Sequence, residues 1–320
     1  MADPARRTFL KTATAVGLSG MGLLASQRSA ASEAGKRKFT MDLRCGAIGV
    51  RADPREAIGL AHEYGFESVE PSAQFLAKLS DAELQELLAD LKAKSLVWGA
   101  AGLAVDFRRE ESTFSEGLQQ LPELAGALRR AGVTRVGTWL SPTHDSLTYL
   151  ANFRQHVRRL GEVAKILGDH GQRFGVEYVG PKTSWTAGRY PFIHTMEEAK
   201  ELIAEIGRDN MGLVLDSWHW YTAQETQADL LSLSGKDVVA CDLNDAPAGI
   251  PVDEQRDGSR ELPAATGVID LKGFLGALVE IGYDGPVRAE PFNRTLNAMP
   301  REEAMAATAA AMKKAFALVD

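Results

Sequence analysis

Short apolar runs alternate with longer amphipathic segments along most of the chain. The runs predict strands, and the segments, whose apolar residues recur at three- and four-residue spacing, predict helices. The predicted strands span 43–50, 67–70, 96–102, 133–139, 173–179, 211–216, 238–243 and 286–290. The predicted helices span 54–64, 80–94, 115–131, 146–170, 195–208, 222–233, 270–281 and 301–318. Eight successive strand–helix units favour an α/β fold, a (β/α)8 TIM barrel built as a single domain.

Helix-boundary residues support this order of elements. Asp53 and Pro54 suit the cap and first turn of the first helix, and Ser80 with Glu83 predicts a capping box for the second. A doubly wound open sheet is the alternative fold, but no glycine-rich phosphate loop follows the first strand. We therefore expect residues 43–320 to form the barrel. The one long irregular stretch, 244–266, follows strand seven on the face where barrel active sites are built.

The first residues resemble a targeting segment rather than part of the fold. Arg6 and Arg7 precede a glycine- and alanine-rich apolar stretch, and Ser29-Ala30-Ala31 then offers small residues suited to cleavage. This arrangement resembles a twin-arginine export signal over residues 1–31, followed by a spacer over 32–42, and implies a periplasmic or secreted protein. The apolar stretch is shorter than the roughly 20 residues of a membrane span, so we expect no stable membrane insertion after signal cleavage.

Composition narrows the classes of partner. The chain has 320 residues, of which 45% are hydrophobic and 25% charged, as is typical of a soluble globular protein. Its net charge is −7 and it has no long basic run, so we expect no nucleic-acid partner. Cys45 and Cys241 both fall in predicted strands and are interpreted as buried thiols, with a single disulfide as the alternative outside the cytoplasm.

Four acidic residues each close a predicted strand in the second half of the chain. They are Glu177 in RFGVEYVG, Asp216 in MGLVLDSWHW, Asp242 in VVACDLND and Glu290 in PVRAEPF. An unpaired carboxylate at the end of an apolar run is costly to bury, and in a barrel these strand ends converge on one mouth. The four acids therefore predict a shared divalent cation, and oxygen donors favour Mn²⁺ or Mg²⁺ over Zn²⁺. Pairing of one or two of them with arginine or lysine at the rim is the alternative.

The pattern resembles the xylose isomerase-like barrels of the sugar phosphate isomerase/epimerase superfamily. The resemblance covers roughly residues 43–318 and depends on Glu177 in VEYVGP, on Asp216-Ser217-Trp218-His219 and on Glu290. The run DSWHWY and the downstream Asn244-Asp245-Ala246-Pro247 are most similar to the inosose dehydratase-like and ketose 3-epimerase-like branch. Barrels of this kind commonly form homo-oligomers.

The resemblance implies roles for individual residues. Glu177, Asp216 and Glu290 match metal ligands of the family, and strand seven normally supplies a histidine where this chain has Asp242. Glu177 and Glu290 also match the opposed acid and base that transfer a proton next to a carbonyl through an enediolate. His219 matches a histidine that hydrogen-bonds the substrate.

Other polar and aromatic residues are predicted to line the mouth and bind substrate. They are Glu70, Trp139, Lys182, Trp218 and Arg256, together with His219. Tryptophan rings stack on the apolar faces of sugars, and cations of the long loop, Arg256 and Arg260, could hold an anionic group, although exposed loop charges are usually only solvated.

These observations predict a metal-dependent isomerase or epimerase of an unphosphorylated sugar, keto-sugar or cyclitol, since sugar phosphates are mostly cytoplasmic. A metal-dependent lyase or dehydratase of keto-sugars, 3-keto-glycosides or inososes begins with the same proton abstraction and is the enzymatic alternative. A sugar-binding barrel without turnover is the alternative of another class. Endonuclease IV-like repair needs more histidine ligands than the six histidines of this chain can supply.

Overall fold

Nine parallel strands form one curled sheet in the computed structural model, which describes residues 36–320. The predicted export signal and the start of the spacer lie outside these residues. The strands are β1 (Thr40–Leu43), β2 (Ser68–Val69), β3 (Val97–Trp98), β4 (Ala101–Gly102), β5 (Arg135–Trp139), β6 (Thr143–His144), β7 (Arg173–Glu177), β8 (Tyr190–Pro191), β9 (Met211–Asp216), β10 (Val238–Leu243) and β11 (Pro286–Ala289). The sheet runs in the order β3-β2-β1-β11-β10-β9-β7-β5-β4, while β6 and β8 form a separate antiparallel pair.

The sheet closes into a barrel through its third strand position. β3 pairs with β2 and β4 pairs with β5, and only Gly99 and Ala100 separate the two short strands in the chain. The predicted strand 96–102 is therefore one barrel strand interrupted in the middle, and eight barrel positions result. Position 99 within this break has to be glycine, because a Cβ there would lie 2.3 Å from Oδ1 of Asp42.

Helices cover the outside of the barrel. They are α1 (Pro54–Tyr64), α2 (Ala73–Ala77), α3 (Asp81–Ala93), α4 (Glu111–Arg130), α5 (Tyr149–Asp169), α6 (Lys182–Trp185), α7 (Met196–Ile206), α8 (Ser217–Thr222), α9 (Gln227–Leu231), α10 (Leu271–Glu280), α11 (Arg294–Asn297) and α12 (Arg301–Phe316). The predicted cap at Asp53 and the predicted capping box at Ser80 are both confirmed, and Asp53 forms a capping box as well. The described residues contain no helix with the length and apolarity that crossing a bilayer requires.

The first strand begins earlier than predicted. β1 spans Thr40–Leu43, so the spacer prediction of 32–42 and the strand prediction of 43–50 are both wrong here. Residues Cys45–Ile48 form a 3-10 turn that ends at Gly49, whose φ of 74° favours glycine. Cys45 is consequently half-buried outside the strand, whereas Cys241 is fully buried in β10, and both are free thiols.

Two regions of the core differ in character. The larger core lies between the barrel and its helices and contains most of the buried leucine, valine and phenylalanine side chains. A small second cluster of Ala100, Val214 and Ala240 fills part of the barrel. Because side chains alternate along a strand, Asp216 and Asp242 share a face with Val214 and Ala240, two residues before each of them. The acids therefore lie one layer further towards the carboxyl ends of the strands.

Candidate active site

A band of polar residues crosses four adjacent strands at one level of the barrel. The pairing register places Asp42 beside Arg288, Arg288 beside Asp242, and Asp242 beside Asp216. All four side chains are buried. Charges at such a depth need partners, because burying them alone costs several kcal/mol.

Asp242 finds its partner in Arg288. Nε of Arg288 lies 2.5 Å from Oδ1 of Asp242, and Nη2 donates to Oδ2 at 3.2 Å. Burial by itself raises the pKa of Asp242, but the facing Arg288, helped by Arg44 and Arg260, holds that pKa below its usual value. Asp242 is therefore an ionised carboxylate with both oxygens bonded to an arginine.

Asp42 lies on the other side of Arg288 and has no such contact. Neither of its carboxylate oxygens has a hydrogen-bond partner among residues 36–320. The nearby Ser68 hydroxyl shares a 2.7 Å hydrogen bond with Thr40 Oγ1 instead. Burial raises the pKa of Asp42 to about 7, although Arg288 opposes the shift. Sequence reasoning missed this residue, whose only signal was an acid within the apolar run TMDL.

We expect Asp42→Asn to change how stability depends on pH. The raised pKa of Asp42 means that its contribution to wild-type stability is present below its usual value of 3.8 and is lost as pH rises through about 7. Between pH 5 and pH 8 the variant should therefore gain about 3 kcal/mol relative to wild type. Urea unfolding of both proteins at the two pH values measures this difference, and an equal gap at both would contradict the raised pKa.

Asp216 ends β9 and is enclosed by donors. It caps α8 by accepting a hydrogen bond from the backbone N–H of Trp218 at 2.7 Å, and Asn244 Nδ2 donates to its two oxygens at 3.0 and 3.2 Å. Burial raises the pKa of Asp216 to about 7, against the attraction of Arg260. Sequence position predicted the acid at this strand end but not its capping role.

Arg260, from the long loop after β10, reaches into the same cluster. Its Nη1 lies 2.7 Å from Oδ2 of Asp216 and 3.3 Å from Oε2 of Glu290. The side chain is 2% exposed, whereas the sequence had favoured a solvated loop cation. Two predicted metal ligands therefore share one guanidinium.

Glu177 and Glu290 are the two glutamates of the cluster and differ in their partners. Arg44 Nη1 lies 2.5 Å from Oε1 of Glu290, so both oxygens of Glu290 contact arginines. Glu177 Oε1 is buried without a hydrogen-bond partner in the described part of the chain. Burial, and then repulsion from Glu290, Asp242 and Asp216, raises the pKa of Glu177 well above its usual value.

His219 lies one helical turn beyond Asp216. Gly180 N–H donates to His219 Nδ1 at 3.2 Å, which leaves the proton of the neutral ring on Nε2. Burial, with Arg260 nearby, lowers the pKa of His219 to about 3, so the ring is neutral at physiological pH. Its Nε2–H points towards the Arg260 side of the cluster, where it could donate to a substrate oxygen.

The acidic and histidine side chains are positioned for a metal ion. Oxygens of Glu177, Asp242 and Glu290 all lie within 4.8 Å of one another, and ligand atoms of Glu177, Asp216 and His219 do the same. Glu177 belongs to both sets, and its unpartnered buried oxygen is the observation that best fits a cation. The residues present therefore fit the ion that the sequence pattern predicts.

Comparison with known proteins identifies the family. The model of the xylose isomerase-like TIM barrel family matches residues 58–315. The chain belongs to this family. A xylose isomerase domain protein of known structure from Alicyclobacillus acidocaldarius is 30% identical, and the match covers 88% of this chain and 99% of that protein with a TM-score of 0.77.

Two relatives of known activity catalyse different reactions. The inosose isomerase of Bacillus velezensis is 26% identical over 258 residues, which are 78% of this chain and 87% of that protein. The 3-dehydroshikimate dehydratase of Pseudomonas aeruginosa is 28% identical over 255 residues, 79% of this chain but only 38% of that protein. Relatives of this xylose isomerase-like chain are thus enzymes of the isomerase and dehydratase classes.

Two cavities open onto the cluster of this xylose isomerase-like barrel. One, of about 170 Å³, is lined by Glu70, Arg108, Asp242 and Arg288 among others, and the second, of about 360 Å³, by His219, Asp257, Arg260 and Phe292 among others. Arg44, Trp139, Glu177 and Glu290 line both. The two glutamates therefore face a shared space of the size of a small sugar.

The predicted substrate-binding residues fall into two groups. Glu70, Trp139 and His219 line the cavities, with Trp139 46% exposed at the mouth and Glu70 paired with Arg44 at 3.2 Å. Trp218 is fully buried below Arg260 and lines neither cavity. Lys182 forms an exposed ion pair with Asp253, and Arg256 is exposed outside both.

Proposed function

We propose that this chain is an isomerase or epimerase that moves a proton next to the carbonyl of an unphosphorylated sugar, keto-sugar or cyclitol. Glu177 and Glu290 are the proposed proton-transferring pair. The observation that carries the proposal is that both line the same two cavities and differ in their partners. The family and the isomerase activity of the Bacillus velezensis relative support the reaction class.

The different partners of the two glutamates suit opposite roles in proton transfer. Burial, and then repulsion from Asp242, raises the pKa of Glu290, but the hydrogen bonds that it accepts from Arg44 and Arg260 oppose this shift, so Glu290 is the proposed base. Glu177, with an unpartnered buried oxygen, is the proposed acid that carries a proton. Neutral His219 donates from Nε2 and orients a substrate oxygen. Removal of a proton by one carboxyl and return by the other gives epimerisation or isomerisation through an enediolate.

The proposal includes a divalent cation, with Mn²⁺ or Mg²⁺ suited to the oxygen donors. Glu177, Asp216, Asp242 and Glu290 would hold it. When bound, the ion polarises the substrate carbonyl and stabilises negative charge that develops on its oxygen. Asp242 stands where a histidine was expected, and both of its oxygens accept from Arg288.

Solvent-deuterium exchange tests the proposal. Unphosphorylated keto-sugars and inososes are incubated in D₂O with the protein as prepared, after chelation, and after reloading with Mn²⁺ or Mg²⁺, and NMR follows deuterium at the carbon next to the carbonyl. We expect exchange that chelation removes and reloading restores. Exchange unaffected by chelation would overturn the cation role alone. Sugar binding without any exchange would favour a non-catalytic sugar-binding barrel.

A dehydratase or lyase is the second candidate function. The dehydratase activity of the Pseudomonas aeruginosa relative favours this candidate, and elimination of water begins with the same proton abstraction. Loss of water or of a glycosidic group, detected as a new unsaturated product, would distinguish it from isomerisation in the same NMR experiment.

Export is the last part of the proposal. The twin-arginine pattern over residues 1–31 supports folding and metal loading before transport to the periplasm or medium. Fractionation of cells that express the full chain tests it, with Arg6→Lys/Arg7→Lys as the transport-deficient control. Equal recovery of both proteins in the periplasmic fraction would contradict this route.

A further inference from the structure

Arg260 contacts two of the carboxylates that are proposed to hold the cation. Its Nη1 bridges Asp216 Oδ2 and Glu290 Oε2 at 2.7 and 3.3 Å. Both oxygens belong to the proposed ligands of the divalent ion. Such an ion binds carboxylate oxygens at about 2.0–2.6 Å, so an ion on the same carboxylates would lie close to the guanidinium, and the two positive charges would repel each other.

Contacts with the segment after β11 and with its own loop hold Arg260 in place. The backbone N–H of Arg260 donates to Pro291 O at 3.2 Å, and Asn293 Nδ2 donates to Arg260 O at 3.0 Å. Nη2 of its side chain lies 2.8 Å from Oδ1 of Asp257, and Phe292 packs 4.5 Å from the guanidinium carbon. Arg260 is thus a built-in cation of the cluster and not a surface side chain that has folded inwards.

The guanidinium also lies directly against the imidazole ring of His219. Nη2 of Arg260 is 3.3 Å from His219 Nε2. Oδ1 of Asp257 lies close to both groups, 2.8 Å from Nη2 of Arg260 and 3.9 Å from Nε2 of His219. Arg260 is therefore in contact with the proposed substrate-binding histidine as well as with two proposed cation ligands.

We propose that Arg260 is a built-in competitor of the divalent cation, and that the guanidinium and the ion bind Asp216 and Glu290 in alternation. The inference rests on the cation site of the proposed function and adds its regulation. Without the ion, Arg260 neutralises the two carboxylates and keeps the cluster folded. Entry of the ion requires the guanidinium to withdraw, so cation affinity is linked to the position of the 256–261 segment.

Mn²⁺ binding to the chelator-treated protein tests the competition between Arg260 and the ion without any turnover. Electron paramagnetic resonance of free Mn²⁺ gives the dissociation constant for wild type, Arg260→Met and Arg256→Met. Arg256 lies on the same loop and is exposed, and its replacement by methionine removes the same charge as Arg260→Met. We expect Arg260→Met to bind Mn²⁺ at least tenfold more tightly than wild type, and Arg256→Met to bind as wild type does. Equal affinities of wild type and Arg260→Met overturn the competition.

Hydrogen exchange of the wild-type chain keeps the inference testable if Arg260→Met does not fold. Saturating Mn²⁺ should speed amide exchange over residues 257–261, because the bonds around Arg260 are given up. Unchanged exchange there, with Mn²⁺ bound, overturns the proposal. If no protein binds Mn²⁺, the cation site itself is wrong and the competition fails with it. Deuterium exchange into substrate is measured separately and distinguishes failure of the proton-transfer pair.

Discussion

Glu290→Gln is expected to lower solvent-deuterium incorporation next to the substrate carbonyl by about 10²–10⁴-fold. Glutamine keeps the shape and the hydrogen-bonding oxygen of Glu290 but cannot accept the proton. The loss should appear in the exchange rate measured by NMR at saturating substrate. Because Arg44 and Arg260 both contact Glu290, the variant must be shown to be folded by its unfolding midpoint.

Glu261→Gln is the matched control for this result. Glu261 is the neighbour of Arg260 on the loop, is half-buried, and lines neither cavity. Its exchange rate should stay within about threefold of wild type, since only groups that touch the reacting carbon contribute to proton transfer. If Glu177→Gln and Glu290→Gln both kept wild-type exchange rates, neither glutamate would be the base or the acid.

Much of the fold follows from local sequence signals. Apolar runs and capping residues such as Asp53 and Ser80 place the barrel units and their helices, because these patterns act within a few residues. The predicted start of the first strand is wrong, because the short apolar run Cys45–Ile48 suits a 3-10 turn as well as a strand. The need for glycine at position 99 depends on the side chain of Asp42, more than fifty residues earlier, and no local pattern contains that contact.

The acids of the candidate site were predictable, and their partners were not. Strand ends converge in any barrel, so the positions of Asp216 and Asp242 follow from topology alone. The arginines reach them by long-range contacts, Arg260 from a loop and Arg288 from the next strand. Arg288 did carry a signal, because it lies two residues before Glu290 at the end of β11, and side chains two residues apart in an extended chain point to the same side.

Arg288→Met is expected to destabilise the protein by about 3–5 kcal/mol. The change removes the partner of Asp242 and leaves a buried, ionised carboxylate without compensation. It also removes the cation that most strongly lowers the pKa of Asp42. Urea unfolding at pH 7 measures the loss as a lower midpoint with an unchanged slope.

The double variant Asp242→Asn/Arg288→Met separates the ion pair from simple loss of packing. Removing both charges leaves no buried ion at this position, so most of the lost stability should return, and the coupling energy of the cycle should exceed about 1.5 kcal/mol. In Asp242→Asn alone, Arg288 can still interact with Asp42, so this variant should lose less stability than Arg288→Met. If the double variant is as unstable as the sum of the singles, Asp242 and Arg288 are not energetically coupled.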